Sequence, residues 1–166
     1  VGNLTAGWSA VANLTNATHG AGMGTRVVID RHTIIVRRKV SGTVPYVHVF
    51  ARDEDTGGLA SLKSSWSQTA SLLPGDYDVQ QSQFAYDADV EGSVIVVGDP
   101  FANYLGGSAL LGATYVFKRD GNTTASPWVE SYKHGSPECD GSSPLAGRSV
   151  ALYYQTVATT CSAHRT

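Results

Sequence analysis

The sequence predicts an all-β chain built from repeated four-stranded antiparallel sheets, and three observations carry that reading. Trp8, Trp66 and Trp128 each open a similar passage, at spacings of 58 and 62 residues. A β-branched segment recurs behind a loop of Gly, Asp, Asn and Ser: Met23 to Asp30, Phe84 to Glu91 and Leu145 to Leu152, with 61 residues between successive starts. Self-similarity at a fixed period of this size marks a solenoid, a propeller or an array. The composition agrees, since Gly, Val, Thr, Ser and Tyr are common while Lys and Glu are scarce, the balance of β-structure with many tight turns. With 42% apolar and 16% charged residues over 166 positions, the chain can build a core.

The chain reads as one repeat domain: 1–20 the end of a preceding unit, 21–74 and 75–135 two units, and 136–166 the start of another. Trp8 opens the last strand of that preceding unit. The first full unit runs through strands at Gly24 to Asp30, Thr33 to Val36, Tyr46 to Arg52 and Trp66 to Leu72. In the second, Phe84 to Val90 alternates and stops at Glu91-Gly92, a tight-turn dipeptide. Ser93 to Val97 is a short apolar run, as expected of a strand covered on both faces, and Gly98-Asp99-Pro100 ends it. A small-residue loop from Phe101 to Leu111 leads to a strand from Gly112 to Arg119. Asp120-Gly121-Asn122 turns the chain, and Trp128 to His134 is the fourth strand. Val49-Phe50-Ala51-Arg52-Asp53 corresponds to Val116-Phe117-Lys118-Arg119-Asp120. The last strands are Gly147 to Leu152 and Thr156 to Thr160.

Phe84-Ala85-Tyr86, the run ending in Gly98-Asp99-Pro100, then Gly112-Ala113-Thr114-Tyr115-Val116-Phe117 and finally Trp128 resemble the FG-GAP repeats of integrin alpha-subunit β-propellers and many secreted proteins. The resemblance spans nearly the whole chain. It implies propeller-like blades of four antiparallel strands: two complete blades, with partial blades at each end. Within it the family's Phe-Gly stands as Phe84-Ala85, Met23-Gly24 and Leu145-Ala146, and its Gly-Ala-Pro stands once, as Gly98-Asp99-Pro100. Trp8, Trp66, Trp128, Phe84, Phe50 and Phe117 are the expected packing residues between blades, although the aromatic faces of the tryptophans would also serve as sugar platforms.

Some FG-GAP members carry a calcium loop of alternating Asp residues between the first two strands, and Asp87, Asp89 and Glu91 imitate its spacing. Calcium wants six to eight converging oxygens, which a two-residue turn cannot wrap around an ion, so no metal or other cofactor is expected there. Asp53-Glu54-Asp55 reads as a solvated turn.

Other chemistry leaves little trace. The net charge of -2 gives no general attraction to nucleic acid, and Arg37-Arg38-Lys39 reads as a solvated strand end that blunts edge pairing. No run of eighteen apolar residues offers a membrane span. No charged-then-apolar leader opens the sequence, which leaves a removed leader or none. There is no Gly-x-Ser-x-Gly elbow. Gly20-Ala21-Gly22-Met23-Gly24 lacks the strand and helix that a nucleotide loop needs. His19, His32, His48, His134 and His164 lack the spacing of a metal pair. No catalytic residue is assigned.

Asn3, Asn13, Asn16 and Asn122 each begin an acceptor triplet for N-linked glycan, although an Asn- and Thr-rich chain also makes such triplets by chance. Cys139 and Cys161 read as one disulfide tying down the end of the final strand, with two buried thiols as the alternative. Together these predict an extracellular, secreted or cell-surface glycoprotein.

Two whole units with partial ones at either end cannot close a ring, because propellers close with four to eight blades. The flanks of the outer units are therefore expected to be apolar and their edges unpaired. Either the sequence is an excerpt of a longer propeller, or copies join head to tail and complete one another's blades, as ring or filament. The expected function is structural or adhesive, with copies of itself or adjacent blades as partners. The alternative is a fragment of an extracellular ligand- or carbohydrate-binding propeller.

Overall fold

The computed structural model describes residues 14, 23–38, 44–52, 66–77, 83–103, 111–135 and 145–161. Every regular element among them is a β-strand. One four-stranded antiparallel sheet holds β1 (Met23–Asp30), β2 (Thr33–Arg38), β3 (Tyr46–Arg52) and β4 (Trp66–Leu72) in chain order. A second holds β5 (Asp87–Glu91), β6 (Val94–Asp99), β7 (Ala113–Arg119) and β8 (Trp128–His134) in the same order. A hairpin of β9 (Val150–Tyr153) and β10 (Thr156–Thr159) follows.

The two sheets repeat each other in register. Arg52 pairs with Trp66 and Arg119 with Trp128, while Ile34 pairs with Phe50 and Ile95 with Phe117. A bulge falls at the same place in both, between Val49 and Phe50 and between Val116 and Phe117. Bulges increase local twist, so both sheets are bent at matching points. β-branched residues fill β2 and β6 because each is flanked on both sides and packed on its faces.

One core lies between the sheets. Ile35, Val47, Val49 and Leu72 of the first meet Ala88, Val90, Ile95, Val97, Tyr115 and Phe117 of the second, with Phe84 at the centre. The Phe84 ring stands edge-on to Tyr115 at 5.6 Å and to Phe117 at 6.2 Å, the arrangement that aromatic quadrupoles favour. A smaller core joins Val96 and Val116 to Val150 and Leu152 of the hairpin. Thus β6 serves two cores, its alternate residues pointing to opposite sides.

Strand limits differ from the sequence reading. β2 and β6 run two residues further than expected, to Arg38 and Asp99. Arg37 and the buried Arg38 therefore lie inside a central strand and are not a solvated strand end. The largest differences are at two first strands. Phe84 to Tyr86 form a turn, and β5 starts only at Asp87, beyond Ala85 at a left-handed φ of 63°, whereas β1 carries Gly24 at φ 94° in a bulge. Likewise β9 starts at Val150, beyond Gly147 at φ 80°. Counting back from the hairpin turns aligns Gly24, Ala85 and Gly147, all at positive φ. The third counterpart of Phe84-Ala85 is therefore Ala146-Gly147 and not Leu145-Ala146, since the last segment carries one more residue before its turn.

The hairpin lies backbone to backbone on the second sheet. Gly112 makes a parallel bridge to Ala146. A Cβ on Gly98 would sit 1.9 Å from the Gly147 oxygen, one on Gly112 2.2 Å from the Ala146 oxygen, and one on Gly147 2.2 Å from the Ala113 oxygen. Only glycine permits that approach.

Candidate functional site

Asp87 and Asp89 lie two apart on β5, so their side chains share one face. That face meets β9. Asp87 Oδ2 accepts the Val150 N–H at 3.0 Å and the Ser149 hydroxyl at 3.1 Å, and Asp89 Oδ2 accepts the Leu152 N–H at 2.8 Å. The other Asp87 oxygen pairs with Arg26 of β1 at 2.8 Å. One carboxylate thus ties all three first strands together. β9 uses its other edge to pair with β10, and the aspartates supply acceptors where a neighbouring strand would otherwise stand. Glu91 lies at the turn, and among the described residues no three His, Cys, Asp or Glu gather as a metal site.

The intervening residues Ala88 and Val90 point the opposite way, into the core against the first sheet. Register places Val27 and Ile29 in the same positions on β1, and Val150 and Leu152 on β9. Val150 and Leu152 are buried against the second sheet. Val27 and Ile29 are 57% and 62% exposed.

A second opening lies at the other end. The hairpin packs on the β5–β6 half of the second sheet and reaches Val116 of β7, while Ser131 and Tyr132 of β8 are exposed. The resulting groove, about 740 Å³, is floored by Val94, Val116, Lys118, Ser131 and Tyr132 and walled by Tyr154 and Val157. Tyr132 is 60% exposed. Among the described residues β10 has a strand partner on one side only.

Between the sheets, the connection after β4 is latched to the second sheet by polar contacts. Asp76 accepts the Tyr115 hydroxyl at 3.2 Å and pairs with Lys133, while Glu130 accepts the Gly75 N–H at 3.0 Å. Burial pushes the Tyr115 phenol far above its ordinary value, and the nearby carboxylates of Asp76, Asp99 and Glu130 add to the rise. A phenol held neutral is a hydrogen-bond donor and not a base. Burial lowers the Arg37 guanidinium, with Tyr86 and Asp87 opposing the fall and Arg26 adding to it. It stacks over the Tyr86 ring at 5.2 Å.

The residues singled out in the sequence are dispersed. Trp128 packs on the inter-sheet core and carries Arg119 over its ring at 4.7 Å. Trp66, at the matching register, is half-buried outside that cluster, and Phe50 is buried on the face away from it. Asn122 is exposed in the turn between β7 and β8. Cys161 is disulfide-bonded. Trp8, Asn3, Asn13, Asn16, Cys139, His19, His164 and the Asp53-Glu54-Asp55 turn lie outside the described residues. The hairpin contacts of Asp87 and Asp89 and the open groove escaped the sequence reading. The alternation Asp87-x-Asp89 was the available signal for the first.

Comparison with family models, with curated proteins and with solved structures finds no match to the chain.

Proposed function

We propose that the chain is a non-enzymatic structural or adhesive repeat protein of the FG-GAP propeller type, secreted and N-glycosylated, whose copies join head to tail. The supporting observation is that each unit rests on the one before it through the same β-strand positions. Ala88 and Val90 sit on the first sheet, Val150 and Leu152 on the second, and Val27 and Ile29 have no such cover among the described residues. A face repeated twice as an interface and a third time in the open is a face made for a like neighbour. The contact uses different surfaces on its two sides, so it propagates as a ring or a filament.

Sedimentation velocity of the purified, glycosylated chain tests the reading. Mass is expected to rise in multiples of the monomer across micromolar concentrations. A cooperative, well-folded monomer at all of them would refute it. Treatment with peptide N-glycosidase is expected to lower the mass of native material; an unchanged mass removes the glycoprotein part.

A further inference from the structure

The two sheets meet at their turns around a small polar cleft. Its volume is about 260 Å³, and its walls come from the β1–β2 turn, the β5–β6 turn and the β7–β8 turn. Among the described residues no apolar side chain lines it. Arg31 brings guanidinium donors, His32 a ring nitrogen, and Thr33, Ser93 and Thr124 hydroxyls that both donate and accept. Convergent groups of this kind suit a small hydroxylated ligand and not an apolar one.

The walls are already braced. Asp30 Oδ2 accepts the Gly92 N–H at 2.6 Å, which joins the first two turns, and Arg119 Nη2 donates to Thr33 Oγ1 at 3.1 Å, which joins β7 to β2. In the third turn Arg119 Nη1 donates to the Thr123 carbonyl at 3.3 Å, and the hydroxyls of Thr123 and Ser126 bond at 3.0 Å. A ligand entering the cleft therefore has little left to order.

One residue of the cleft is held in strain. Arg31 takes a left-handed φ of 48°, at the turn position where the second sheet has Gly92 at φ 56°. Glycine adopts that region freely and a side-chain-bearing residue does not. Backbone strain of this kind gathers at binding sites, and here it places a guanidinium on the cleft wall.

The occupant follows from what stands on the rim. Asn122, exposed and the first residue of the acceptor triplet Asn122-Thr123-Thr124, itself lines the cleft. We infer that the first N-acetylglucosamine of a glycan on Asn122 lies in this cleft, against the turns of both sheets. The inference rests on the reading of Asn122 as an occupied acceptor and says where its sugar goes. A ring joined to the Asn122 side-chain nitrogen starts at the cleft mouth, so the tether supplies a high effective concentration at the seat. Its acetamide carbonyl takes the donors of Arg31 and His32, and its hydroxyls exchange hydrogen bonds with Thr33, Ser93 and Thr124. The outer sugars leave toward solvent. One glycan thus clamps three turns and closes this side of the seam between the sheets.

The chain made in glycosylating cells, with Asn122→Gln, Arg31→Gly and the double variant, tests this. Arg31→Gly copies the Gly92 turn and relieves the left-handed strain, so its fold and melting are kept. The mass of the peptide carrying Asn122 reports occupancy. In the occupied parent the Gly92 amide is expected to exchange at least about tenfold more slowly than in Asn122→Gln, with β3 amides unchanged. Between Arg31→Gly and the double variant the same ratio should fall below about threefold. Equal exchange at Gly92 with and without the glycan, slowing spread evenly over both sheets, or a full effect kept by Arg31→Gly overturns the inference while leaving the glycan in place. An unoccupied Asn122 removes both the acceptor reading and the seat.

Discussion

At the scale of single residues, the carboxylates of Asp87 and Asp89 and the closely approached Gly98, Gly112 and Gly147 hold the third unit on. Removing the Asp87 carboxylate by Asp87→Ala leaves the buried Val150 N–H and the Arg26 guanidinium without their acceptor. Loss of a charged acceptor from a buried network costs about 3 kcal/mol, and the midpoint of urea unfolding should fall accordingly. Asp87→Asn, which keeps an oxygen in place, should lose roughly half as much. Gly98→Ala forces a methyl to within 1.9 Å of the Gly147 oxygen, a backbone atom that cannot swing aside. The expected loss is at least about 2 kcal/mol, and amide exchange should locate it in β9 and β10. Neither role could be read from composition. Gly98 looked like a strand terminator, and Asp87 read as a strand carboxylate that only imitates the spacing of a calcium loop. Ala85 hid its turn for a plainer reason: alanine seldom takes a left-handed φ, whereas Gly24 and Gly147 at the matching positions announced it.

At the scale of elements, most of the strands were legible, and the clear misses were the starts of β5 and β9. β3, β4 and β8 begin and end where the tryptophan period and the β-branched runs put them, since their turns carry their own chemistry. First strands were misjudged because side chains that alternate in sequence continue through a turn that only the backbone angle reveals.

The latch between β4 and the second sheet gives a prediction in pH. The folded Tyr115 phenol keeps its proton at pH values where the unfolded chain gives it up, so its contribution is full below about pH 10 and falls as pH rises beyond it. Tyr115→Phe should cost about 1 kcal/mol at pH 7 through the lost bond to Asp76. Between pH 7 and pH 11 the variant should lose less stability than the parent, as judged by urea midpoints at both. The hairpin gives another prediction. Reducing the disulfide at Cys161 should remove about 3 kcal/mol and expose β10 amides to exchange while β6 and β7 stay protected.

At the scale of the whole molecule, stability is expected to be graded and not uniform, because each unit leans on its neighbours alone. Hydrogen exchange should be slowest in β6 and β7, packed on both sides, and fastest in β1 and β10. Assembly should flatten that gradient, and a profile insensitive to protein concentration would argue that the outer strands need no neighbour.

The alternation along β6 carries a different lesson about descent. Ile95 and Val97 answer to one core and Val96 to another, so odd and even positions form two separate accounts of ancestry within a single ribbon. A substitution can be rescued only by a change of its own parity, on its own side. Duplicating or deleting a whole period leaves both parities matched, and genes of this design can therefore lengthen or shorten by entire repeats without rewriting any seam.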